Sequence, residues 1–88
     1  MPIILQQTVS GAALRFLENI EVTLKLLAEY PSIGALFLSD ISELHGLRTC
    51  RVKGFPNHFV FYLEHANAVE IVRILHGARD IDKELSVG

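Results

Sequence analysis

Between Leu47 and Leu75 the chain carries three runs rich in β-branched and aromatic residues, each separated from the next by four residues. Four residues make a tight turn but cannot hold a crossover helix, so successive strands must run antiparallel. The runs are Leu47–Lys53, His58–Glu64 and Val69–Leu75. The first gap, Gly54-Phe55-Pro56-Asn57, is built from residues that favour bends, and His65-Ala66-Asn67-Ala68 is equally short. The middle run, HFVFYLE, is apolar at neighbouring as well as alternate positions, which marks a strand covered on both faces. A three-stranded antiparallel meander follows, and such a sheet needs cover on at least one side.

The cover lies upstream. From Ser10, a natural N-cap, to about Tyr30 the apolar residues Ala13, Leu17, Ile20, Leu24 and Leu27 recur at spacings of three and four. Arg15, Glu18, Glu21, Lys25 and Glu29 occupy the other side, with Glu21 and Lys25 one helical turn apart. Pro31 ends the helix because the residue before a proline avoids helical angles, and Gly34 supplies a turn. Residues 35–46 read as a connection with a brief helical turn at 40–43, and Asp80–Leu85 as one last helical turn. Residues 1–9 read as a short strand or an irregular lead-in. The expectation is one α+β domain over residues 1–88: a long helix packed on a three-stranded antiparallel β-meander.

Half of the 88 residues are apolar and 20% are charged, with a mean hydropathy of +0.35. Either the sheet and helix hide nearly all of this apolar surface or a partner covers the remainder, and the small interior of so short a domain favours a partner. Met1 to Leu5 lacks a basic flank and meets Gln6 at once, so neither a secretion signal nor a membrane span is expected. The single cysteine, Cys50, allows no internal disulfide and fits a cytoplasmic setting. No metal or cofactor is expected: the four histidines lack ligand spacing, and no phosphate-cradling glycine loop, nucleophile elbow or carboxylate pair is present.

The net charge of −2 gives no global field for nucleic acid, yet Leu44 to His58 holds Arg48, Arg51, Lys53 and two histidines without one acid. Alternation puts Thr49, Arg51 and Lys53 on one face of the first strand, opposite Cys50 and Val52. In the third strand Arg73 shares a face with Val69, Ile71 and Leu75, opposite Val72 and Ile74. With the helix over the Val52, Val72 and Ile74 side, Arg51, Lys53 and Arg73 would converge on a bare face able to grip phosphate or acidic peptide. The plainer reading is three surface charges, one paired with Glu64 or Glu70. His76, at a strand end, could act as a general base or be a satisfied structural imidazole. Arg79 could meet a partner or tie the chain end to the sheet.

The run Val69-Glu70-Ile71-Val72-Arg73-Ile74-Leu75-His76-Gly77-Ala78-Arg79-Asp80 resembles the closing signature of ParE toxins in the RelE/ParE superfamily. Leu47-Arg48 and Val52 to Tyr62 look like the same family's middle strands, and Ala13 to Gly34 is similar to its second helix and the turn beyond. The resemblance covers roughly residues 12–85. It implies a toxin of a type II toxin–antitoxin (plasmid stabilisation) system, neutralised by a cognate antitoxin protein. It also implies one of two targets: DNA gyrase, which is inhibited by binding, or messenger RNA on the ribosome, which RelE-type relatives cleave. The nuclease branch tends to place extra bases and a tyrosine or histidine near its C-terminus. After Asp80 this chain has Lys83 as its one base, with no tyrosine or histidine, so gyrase is the expected target. Partner or target contacts are expected at Arg48, Arg51, Lys53, Arg73, His76 and Arg79, with His76 catalytic if the chain is a ribosome-dependent endoribonuclease. An inactive interaction module is the third reading.

Family members open with a strand and a first helix, whereas only Met1–Gly11 precede the helix here, so both are expected to be missing. Leu14, Leu17, Leu24 or Leu27 would then lack an opposing surface. Self-association through this helix surface, or the antitoxin, is expected to cover it.

Overall fold

A computed structural model describes residues 10–77. Helix α1 spans Gly11–Glu29, and Ser10 caps it by accepting a hydrogen bond from the Ala13 amide at 3.1 Å. Its end is as read: the Tyr30 amide donates to the Leu26 carbonyl at 2.8 Å, and Pro31 follows. The sheet-facing stripe is rotated from the expected one. Phe16, Ile20, Leu24 and Leu27 pack toward the sheet together with a buried threonine, Thr23, while Leu17 is 57% exposed. A polar residue could join that stripe because its hydroxyl is fully used. Thr23 Oγ1 donates to the Asn19 carbonyl at 2.7 Å and accepts from the Lys53 amide at 3.0 Å.

Among the described residues the sheet has four antiparallel strands in chain order: β1 (Ala35–Leu36), β2 (Arg48–Val52), β3 (Phe55–Glu64) and β4 (Val69–His76). The meander of β2, β3 and β4 is the expected one. Strand β1 is additional, a two-residue edge on β2 formed by the connection, which also makes a 3₁₀ turn at Ser42–Leu44. The first hairpin turn is tighter than its composition suggested. Val52 pairs with Phe55, leaving Lys53-Gly54 as the turn, and Gly54 takes the left-handed conformation (φ 77°) that a two-residue hairpin requires. Pro56 and Asn57 lie within β3, where the register jumps between Arg51↔Phe59 and Val52↔Phe55. Their bend-forming chemistry appears as this irregularity rather than as the turn.

Val60, Phe61 and Tyr62 are consecutive and all buried, so β3 is covered on both faces. On the helix side Leu27, Val52, Val60 and Tyr62 form one core. On the other side Leu47 and Phe61 form a second, with Phe37, Ile41 and Leu44 of the connection laid over them. The face expected to be bare is therefore half covered. Tyr62 also fixes the loop after the helix: its hydroxyl donates to the Pro31 carbonyl at 2.7 Å and accepts from the Gly34 amide at 2.8 Å. A side chain at Gly34 would collide with the Tyr62 ring and come within 2.9 Å of the Thr49 carbonyl, which explains a glycine there.

Candidate functional site

The sheet face away from the helix carries Arg51 and Arg73. Arg51 pairs with Phe59, and its guanidinium lies 5.6 Å from that ring's centroid. Arg73 pairs with Phe61 on the other flank of β3. Both arginines thus stand on the face of the second core, at diagonal corners of a surface floored by Phe59 and Leu75. Strand spacing puts their Cα atoms roughly 12 Å apart. Arg51 is exposed and Arg73 half-buried.

Arg73 stands on the face that alternation with Leu75 gives it, but the alternation breaks just before it. Phe61 pairs with Arg73 but Tyr62 with Ile71, so Val72 is an extra residue in β4. Val69 and Ile71 consequently pair with Glu64 and Tyr62 on the helix side, whereas Val72 packs with the second core beside Arg73. The expected grouping of Arg73 with Val69 and Ile71, and of Val72 with Ile74, is corrected by this bulge. The grouping with Leu75 stands.

The other candidates lie elsewhere. Arg48 pairs with Tyr62 on the helix side and points inward: its Nη1 donates to the Gly34 carbonyl at 2.7 Å, and its Nε lies 3.9 Å from a Glu64 carboxylate oxygen. It braces the loop after the helix. Lys53 is an exposed turn residue, because β2 ends at Val52 and alternation does not extend to it. The expected convergence of three bases therefore reduces to Arg51 and Arg73. Glu64 does pair with a base, though with Arg48, and Glu70 pairs with His65 at 2.9 Å.

His76 is on the opposite face from the two arginines. It pairs with His58, and the rings stack at 4.4 Å between centroids with 19° between their planes. His58 in turn lies 4.5 Å from the Phe16 ring of α1, and Phe16 meets Phe55 edge-on at 4.9 Å. His76 thus ends a column of rings on the helix side. The sequence offered no sign of this contact, because the His58–His76 register depends on where the irregularities fall. Phe59, the ring beneath Arg51, could have been found from the alternation of HFVFY once the pairing was known.

Arg79, the helical turn at Asp80–Leu85 and the lead-in at residues 1–9 lie outside the described residues. Among the described residues no helix is long and apolar enough to cross a membrane.

Cys50 is half-buried on the helix side, and burial raises its thiol pKa, which favours the neutral form. Burial likewise raises the Tyr62 phenol, opposed by the Gly34 amide and Arg48, so this hydroxyl keeps its proton.

In a comparison with known families, the model of the ParE toxin of type II toxin–antitoxin systems (parDE) matches residues 3–81. No curated protein and no solved structure matches. The aligned span includes the whole helix and all four strands, hence both faces described above. The chain belongs to the ParE toxin family of type II toxin–antitoxin systems.

Proposed function

We propose that this toxin acts without catalysis, by binding and inhibiting DNA gyrase in the cytoplasm, and that a cognate antitoxin neutralises it and so stabilises the plasmid or locus that carries the pair. The observation that carries the reading is the placement of His76 on the face opposite Arg51 and Arg73. An RNA-cleaving site needs its acid–base group and its phosphate-binding cations around one scissile phosphate. Here the imidazole belongs to a ring stack on the helix side, while the arginines flank an aromatic floor on the other. A cationic rim around the half-buried Phe59 and Leu75 suits recognition of a protein surface bearing acidic groups.

The test is a supercoiling assay with purified toxin and gyrase, run beside a translating extract in which message integrity is followed. Wild-type protein should inhibit supercoiling and leave ribosome-bound message intact. Arg51→Ala combined with Arg73→Ala should weaken inhibition by about tenfold or more, and His76→Ala should keep it. Message cleavage that disappears in His76→Ala would replace this reading with the endoribonuclease one.

A further inference from the structure

The ring column on the helix side ends in two histidines with nothing bound to their nitrogens. His58, near the start of β3, and His76, at the end of β4, sit directly opposite one another, and their rings lie nearly parallel with centroids 4.4 Å apart. Among the described residues neither ring takes part in a hydrogen bond or an ion pair, whereas the imidazole of His65 is engaged with Glu70 at 2.9 Å. The backbone beneath the pair is pinned: the Gly77 amide donates to the Asn57 carbonyl at 2.7 Å, next to both histidines. The Phe16 ring holds His58 from the helix, and His76 is exposed.

We propose that this pair binds one late first-row divalent transition ion (Ni²⁺, Cu²⁺ or Zn²⁺), chelated by one nitrogen of each imidazole with water in its remaining positions. Neutral imidazole is a protein ligand that these ions share. Such ions hold nitrogen at about 2.0–2.1 Å, so two ligating nitrogens stand roughly 3 Å apart. Rings already side by side reach that spacing when the exposed His76 turns about its Cβ–Cγ bond, a torsion with broad wells. Arg51 and Arg73 are on the opposite face of the sheet, so neither guanidinium crowds a cation at the pair. No ligand spacing announces the two histidines, because sheet register alone brings them together. The unfolded chain therefore offers the ion only separate imidazoles, and binding favours the folded state. Two protein ligands, against the four of a structural zinc site, make the ion exchangeable. The inference rests on the His58–His76 register and is independent of what the toxin targets.

Isothermal titration of NiCl₂ into the purified full chain, carrying no histidine tag, tests it, with circular dichroism to confirm folding of each variant. Wild-type protein should bind one Ni²⁺ per chain with a Kd below about 100 µM, and Cu²⁺ should bind more tightly. His58→Gln and His76→Gln should each weaken binding by about tenfold or more, while His45→Gln and His65→Gln leave it within about threefold. The urea midpoint of wild-type protein should rise with added Ni²⁺, and that of His76→Gln should not. The absence of saturable binding at about 1 mM Ni²⁺ overturns the proposal. So does binding that survives His76→Gln or that His65→Gln removes, since other donors would then hold the ion. A stoichiometry of one ion per two chains also overturns it, because the ion would then bridge copies rather than strands.

Discussion

The two sides of the sheet are buried to the same depth by unlike means. On one side a regular nineteen-residue helix lays Phe16, Ile20, Thr23, Leu24 and Leu27 across β2, β3 and β4. On the other, Phe37, Ile41 and Leu44 of an irregular connection close over Phe61, with one 3₁₀ turn as their regular structure. Yet Leu27 and Leu47 are both at 0% exposure. Depth of burial depends on how much apolar surface arrives, and a short loop delivers it as completely as a helix over a smaller area. The remainder of the loop side carries Arg51, Phe59 and Arg73, the residues to which the proposed function assigns target binding.

Leu27→Ala and Leu47→Ala are therefore a matched pair, the same deletion at the same exposure on opposite sides. Each should cost about 2–4 kcal/mol in urea unfolding. If Leu47→Ala costs under about 1 kcal/mol, the connection is a loose lid that collapses around the change, and the equivalence of the two cores fails. Tyr62→Phe probes the link from the helix-side core to the loop after α1. It strands the Pro31 carbonyl and the Gly34 amide, and should cost about 2 kcal/mol at neutral pH. This substitution also has a pH signature. Burial holds the phenol pKa above its usual 10.0 in the folded state, so the stability it contributes is complete below that value and is lost as pH rises through the raised one. Wild-type protein should show this alkaline loss in thermal melts, and the phenylalanine variant a smaller one, with only the buried Cys50 thiol left to contribute. The smallest effect belongs to the outer face of the helix. Glu21 and Lys25 lie 3.0 Å apart but are 68% and 76% exposed, so Lys25→Ala should change stability by under about 0.5 kcal/mol.

The same contrast explains what could be read from the residues alone. The helix, its Ser10 cap and Pro31 stop, and the three-stranded meander follow from local chemistry: periodicity, capping and turn composition. The loop-side core could not be found this way, because Phe37, Ile41 and Leu44 have no common period and meet Phe61 only after the chain has folded back. The rotated helix stripe has a related cause. Thr23 looks polar in sequence and becomes an interior residue only through the Lys53 amide, which another element presents. Among the site residues, the shared face of Arg51 and Arg73 was legible. The helix-side placement of Arg48 and His76 follows from the same alternation, but their partners do not, since these depend on the register that stacks His76 on His58 and on the carbonyl of Gly34.

The extra residue at Val72 has a consequence for how β4 can vary. It acts as a phase shift: Val69 and Ile71 are in step with the helix-side core, and so are Ile74 and His76, but the two pairs keep step only because Val72 is inserted between them. Removing that one residue would force a choice between turning Val69 away from the helix-side core and turning Arg73 away from Arg51. A strand of this kind tolerates exchange of side chains far better than a change of length, and its indel-sensitive point lies beside Arg73.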